Sequence, residues 1–268
     1  MLFNFELMPV DDIAPWGREG DKCLHWFGLT DSWYWIDVGG QELFRHSDAA
    51  LAYWRDVDPE YVPLRPYVDY PVVRLWEDVM SKLPSPISPI PSDVASMLAN
   101  RQAWDTWLTR VDLWVDEDEA KCDLWMKGMS WWGGCSLDSP FLLRPHIYIY
   151  TVDNTTHIRW DNRDCLLDNG IPKWQAMLGE LTMPAAQFVD ELTSFDARLL
   201  AAMADRIESI KQGWSRPEIA IDVAQLDREQ RERSTWLPAA LARPEDVDWD
   251  DVRRAMDRIR VEVPYGDN

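Results

Sequence analysis

Residues 146–161 constrain the fold of this chain most. They read His-Ile-Tyr-Ile-Tyr-Thr-Val, the turn pair Asp153-Asn154, then Thr-Thr-His-Ile-Arg-Trp-Asp. Polarity alternates with a period of two on both sides of a turn signal, the pattern of a β-hairpin. Pairing Val152 with Thr155 puts Ile147, Ile149, Thr151, Thr156, Ile158 and Trp160 on one face, which reads as a core face. The other face carries His146, Tyr148, Tyr150, His157, Arg159 and Asp161. On it Tyr150 opposes His157, Tyr148 opposes Arg159 and His146 opposes Asp161.

A second hairpin is expected around Gly39-Gly40, flanked by aromatic, β-favouring runs. Its register pairs Val38 with Gln41, Ile36 with Leu43 and Tyr34 with Arg45. On the other face it sets Trp35 against Phe44, Trp33 against His46, and the two carboxylates Asp37 and Glu42 opposite each other. Apolar stripes at helical spacing predict helices over 72–83, about 92–115, 184–213, 222–234 and 249–261. Pro184 suits the first turn of the longest and Gly213 its end. The hairpin-rich parts, 1–55 and 140–165, and the helical parts, 72–132 and 184–262, predict an α+β fold. In it an antiparallel sheet from the two hairpins packs against a mostly helical remainder, as one domain over 1–268.

Charge narrows the function. The chain has 27 Lys and Arg against 47 Asp and Glu, a net −20. Nucleic acid is not expected as a partner, because binding it needs a basic patch. The N-terminus lacks a basic region before an apolar run, and no apolar stretch reaches the roughly 20 residues of a membrane span. Four scattered cysteines do not make a disulfide scaffold. A cytoplasmic protein without membrane association is expected. Cys23 and His25 form a Cys-x-His with no second ligand pair, and EF-hand, P-loop, dinucleotide and nucleophile-elbow patterns are absent. Neither a metal nor a cofactor is expected.

Seven acids against two basic residues fill 105–123, centred on Asp116, Glu117, Asp118 and Glu119. Tryptophans flank the run, and the chain holds 17 in all. Trp131 and Trp132 are adjacent, so one of them is expected to be exposed. Acids that steer and aromatics that anchor suit a basic protein partner, with Asp37 and Glu42 as a second acidic spot. The alternative is chemistry on a phosphodiester or a sugar by His146, His157, Tyr148, Tyr150 and Arg159: acid–base groups beside a charge-stabilising guanidinium. A pocket converging on these side chains favours it, and a helix lying over them removes it. Carbohydrate binding is a third option, requiring Trp131, Trp132 or Trp33 flat on the surface. Each residue also has a plainer reading, as a solvated face, a helix terminus or core filler.

The segments HWFGLTDSWYWIDVGGQELF, VVRLWEDV, HIRWDN and AMLGELTMPAAQFVDEL, in that order, resemble an uncharacterised family of bacterial proteins up to about residue 213. The resemblance implies a bacterial protein but brings no substrate and no catalytic residue. The expected function is therefore non-enzymatic: an immunity or antitoxin-like protein that neutralises a basic toxin domain.

Overall fold

A computed structural model describes residues 1–58, 63, 65–115, 118–137 and 145–266. The first sheet comprises β1 (Phe3–Leu7), β2 (Ser32–Asp37), β3 (Glu42–Leu43) and β4 (Val68–Asp69), all antiparallel. The second runs β5 (Pro89–Ile90), β6 (Ile147–Val152), β7 (Thr155–Asp161) and β8 (Leu178–Pro184), with only the β5–β6 pair parallel. The helices are α1 (Asp48–Val57), α2 (Val72–Lys82), α3 (Pro84–Ile87), α4 (Ser92–Leu98), α5 (Arg101–Val115), α6 (Glu119–Cys135), α7 (Ala185–Gln212), α8 (Val223–Arg233), α9 (Trp236–Ala242) and α10 (Trp249–Glu262). The fold is α+β, and each expected hairpin seeds its own sheet.

The β6–β7 register is the one the alternation predicts, from Val152 opposite Thr155 to Ile147 opposite Trp160. The Gly39-Gly40 hairpin keeps Ile36 opposite Leu43 and Asp37 opposite Glu42, then stops. Phe44 adopts φ 66°, a left-handed conformation uncommon for a bulky residue, and its ring is buried edge-on to Tyr34 and Trp174. The bend hands the rest of the β2 edge to β4, which pairs Tyr34 with Val68. The expected Tyr34–Arg45, Trp35–Phe44 and Trp33–His46 pairs are thus replaced. Trp35 stacks on Tyr67 at 4.3 Å, and His46 bridges to Trp174.

The β6–β7 pair of the second sheet is covered on both faces, whereas β8 leaves Leu178, Glu180, Thr182 and Pro184 exposed on one. Ile147, Ile149, Ile158 and Trp160 enter one hydrophobic cluster with α7, α2 and the first sheet. Tyr150, with Tyr148 and Val152 packed alongside, belongs to another with α4, α5, α6 and α10. The stripe of α7 (Phe188, Leu192, Phe195, Leu199, Met203) is buried along its length, and Phe195 stacks on Phe3 of the first sheet at 5.1 Å. The single helix expected over 92–115 is two. The first ends at Leu98, and Asn100 accepts a bond from the Ala103 N–H at the start of the second.

Most tryptophans fill these cores. Trp131 and Trp132 are both buried, at 2% and 6% exposure, which corrects the expectation that one is exposed. α6 is enclosed by more than one neighbour, and successive residues point about 100° apart. Trp131 therefore meets Trp104 and Trp249 while Trp132 stacks on Tyr148 of β6. Gly128 lets α10 approach: a Cβ there would lie 3.1 Å from Ile259 Cδ1. Trp33 is also buried, so the three indoles a surface carbohydrate platform requires are all inside. Trp16 is the tryptophan among the described residues that stands exposed.

His46 is buried, stacked 5.0 Å from Trp174. Burial, with Lys173 nearby, pushes its imidazole down to about 3. An unfolded histidine titrates near about 6.5. Between these values the unfolded chain binds a proton that the native chain refuses, so stability falls as pH drops from 6.5 towards 3. His46→Phe keeps the stack and removes the titration. Urea unfolding across that range should give a flatter stability profile for the variant, and parallel profiles would contradict the assignment.

Candidate functional site

A pocket of about 510 Å³ opens where one end of the β6–β7 ladder meets α5. His146 and Tyr148 reach it from the start of β6, and Arg159 and Asp161 from β7. Arg163 and Asp164 contribute from the loop after β7, Arg101 and Asp105 from α5, and Trp132 from α6. Three arginines and three aspartates thus share the lining with Trp132 and Tyr148, whose rings stack 4.4 Å apart.

The arginines differ in how fully they are used. Arg163 holds Asp161 through Nε at 2.9 Å and Nη2 at 2.6 Å, which keeps that carboxyl below its usual range. Arg101 donates to the Gly179 and Trp160 carbonyls at 3.0 and 2.7 Å, tying α5 to β7 and β8. Arg159 is only 5% exposed. Its Nη2 donates to the Leu98 carbonyl at 3.1 Å and lies 3.7 Å from Glu180, and its guanidinium sits over the Tyr150 ring. Its Nε and Nη1 have no hydrogen-bond partner among the described residues. A buried, charged donor left unpaired costs at least about 1–3 kcal/mol, so an acceptor is to be looked for.

Both outcomes imagined for the His/Tyr/Arg face occur. His146, Tyr148 and Arg159 line the pocket. Tyr150 is buried beneath Trp132 of α6, and burial pushes its hydroxyl up. His157 does not line the pocket. It lies flat against Tyr150, ring centres 4.9 Å apart, and its Nδ1 is 2.7 Å from Glu180 Oε1. That contact, followed by Arg159, holds the Glu180 carboxyl below its usual range. The five residues are therefore divided between a pocket wall and a structural stack.

A further cluster adjoins the pocket. A ring nitrogen of His146, a carboxylate oxygen of Asp164 and Sγ of Cys165 all lie within 4.8 Å of one another. Burial, helped by Asp164, pushes the Cys165 thiol up to about 11.

The acidic residues singled out for a partner have local duties. Asp37 accepts the Gly40 N–H and closes its turn. Glu42 accepts from the Tyr67 hydroxyl and pairs with Arg45. Asp118 caps α6 by accepting from the Ala120 and Lys121 N–H groups, and Glu119 sits in the first turn, where acids are favourable. Asp116 and Glu117 lie outside the described residues.

Sequence reasoning missed Arg101, Asp105, Arg163, Asp164, Cys165 and Glu180. Arg101 and Asp105 reach the pocket only through tertiary packing of α5. Glu180 is on β8, a strand hidden in the sequence because it runs straight into the helix start at Pro184. The sole local signal was the Asp161-Asn162-Arg163-Asp164 cluster following the hairpin.

Comparison with curated proteins finds no match, and neither does comparison with solved structures. Residues 2–255 match the model described as "Family of unknown function (DUF5984)", so nearly the whole chain is covered and the protein belongs to that family.

Proposed function

We propose that the protein holds a small anionic molecule bearing hydroxyl groups, of the sugar-phosphate type, in the pocket walled by Arg159, with His146 and Tyr148 beside it as proton-handling groups. The observation that carries this reading is the buried Arg159 guanidinium, with Nε and Nη1 unpartnered among the described residues. Guanidinium donors suit phosphate and carboxylate oxygens. Asp105 on the same wall offers a carboxylate oxygen to a hydroxyl, which favours a hydroxylated anion over a bare one. His146 is partly open to solvent and placed to exchange protons with a bound molecule.

The test is a calorimetric titration with ribose 5-phosphate, glucose 6-phosphate and free glucose, on the native protein and on Arg159→Met. Phosphorylated sugars should bind and glucose should not. Arg159→Met should weaken binding on the order of 10- to 100-fold, the loss of a charge-assisted bond. Equal binding by the variant, or no binding of either phosphosugar, would overturn the reading.

A second reading keeps the basic protein partner, in its most concrete form a cationic toxin domain that this chain neutralises. Its support is the net charge of −20 together with Leu113 and Met126, 75% and 62% exposed on the helices either side of Asp118 and Glu119. Exposed apolar side chains beside acids suit a charge-steered interface. Tagged protein incubated in a lysate of its own host should retain a basic protein stoichiometrically at low salt. High salt, or Glu119→Lys with Asp123→Lys, should release it. A partnerless eluate, or retention indifferent to salt and to charge reversal, would count against this reading.

A further inference from the structure

We infer that His146, Asp164 and Cys165 form a three-ligand site for a thiophilic divalent cation, zinc(II) by its chemistry, at the rim of the pocket. The ligand atoms are the first argument. Imidazole nitrogen, carboxylate oxygen and a cysteine sulfur that binds as thiolate, its proton released to solvent as the metal enters, together match zinc's preferences, whereas magnesium and calcium take oxygen ligands. Spacing is the second. His146 Nε2 lies 3.7 Å from Asp164 Oδ1, and Cys165 Sγ lies 3.8 Å from the same oxygen. Ligand atoms around a tetrahedral zinc stand about 3.5 Å apart, given its bond lengths. The remaining pair, His146 and Cys165, lies within 4.8 Å, so the two contacts with Asp164 need little change and that third one closes by up to about 1.3 Å.

Preorganisation is the third argument. The fully buried Asn162 accepts from the His146 N–H at 2.8 Å and donates to the Ala176 carbonyl at 2.7 Å. Its own carbonyl accepts from the Cys165 N–H at 3.1 Å. One buried residue, through its side chain on one side and its main-chain carbonyl on the other, therefore ties the backbone carrying the first ligand to the loop carrying the other two. Cys165 is 2% exposed and so sits at the inner end of the cluster, while His146 and Asp164 line the pocket. Three protein ligands leave a fourth position, and here it faces the pocket, as in sites that present a metal to a bound molecule. Lys173 lies within electrostatic reach of the thiol and opposes a cation, whereas Asp161 favours one. The assignment goes beyond the anion reading: with the metal bound, His146 Nε2 is a ligand and proton handling falls to Tyr148, while the anion stays with Arg159, so the two can fail separately.

The test uses cobalt(II) alone, without any sugar phosphate, followed by visible absorption. The metal-free native protein should bind one cobalt per chain with a thiolate-to-metal charge-transfer band, and zinc should abolish that band by competition. Cys122→Ser, which removes the exposed thiol, should leave the band intact. Cys165→Ser should remove it, and His146→Ala, at a partly exposed position, should weaken binding by about tenfold or more. A native protein with no such band, or a band that survives Cys165→Ser, would overturn the site. The His146 variant keeps the test decisive if Cys165→Ser does not fold.

Discussion

The structure depends on a strand pair, β6 and β7, that is covered on both faces. β7 is paired along its whole length, to β6 on one side and β8 on the other. One of its faces carries Ile158 and Trp160 into the core built with α7, and the other carries His157 against Tyr150 and Arg159 to the Leu98 carbonyl at the end of α4. Burial of a polar face is unfavourable unless its groups find partners. His157 takes Glu180, and the Thr151 and Thr156 hydroxyls bond each other at 2.9 Å on the apolar side. Arg159 is only partly satisfied, and the pocket lies against it. The candidate site arises where helices cover a polar strand face incompletely.

Close packing around that pair follows from the same constraint. Gly179 of β8 lies under the Trp160 ring, where an added Cβ would fall 2.1 Å from Cζ2. The indole can therefore lie against the backbone of the neighbouring strand, and Arg101 reaches across to the Gly179 and Trp160 carbonyls. The tryptophan excess has a related origin. A cluster such as Trp26, Trp76 and Trp236 around Arg233, which pairs with Glu77 at 2.7 Å, uses large flat rings to enclose a cation. These indoles serve the interior.

Period-two alternation made the β6–β7 register legible, because a one-residue slip would invert both faces. The stripe of α7 was legible for the equivalent helical reason. Three things were not. Phe44's left-handed backbone cannot be anticipated from a bulky residue, so the first hairpin was read too long. Adjacent Trp131 and Trp132 carry no sign in the sequence that α6 has neighbours on several sides. The pocket draws its arginines and aspartates from α5, β7 and the loop after β7, and only folding brings them together. His146, Tyr148 and Arg159 were named from the sequence because strand parity groups them. Which of the five would stay accessible was a question of helix packing, to which strand parity is blind.

The central claim is that Arg159 is kept for a ligand rather than as a strut between β7 and α4. Guanidinium-induced unfolding of Arg159→Met, in the absence of any ligand, separates the two. The substitution deletes two unpartnered donors along with the bond to the Leu98 carbonyl, the 3.7 Å ion pair with Glu180 and the contact with the Tyr150 ring, while Glu180 keeps His157. A ligand-holding arginine predicts a stability within about 1 kcal/mol of the native protein, because the gain and the loss offset each other. A loss of about 3 kcal/mol or more would mark Arg159 as part of a buried structural pair and contradict the account.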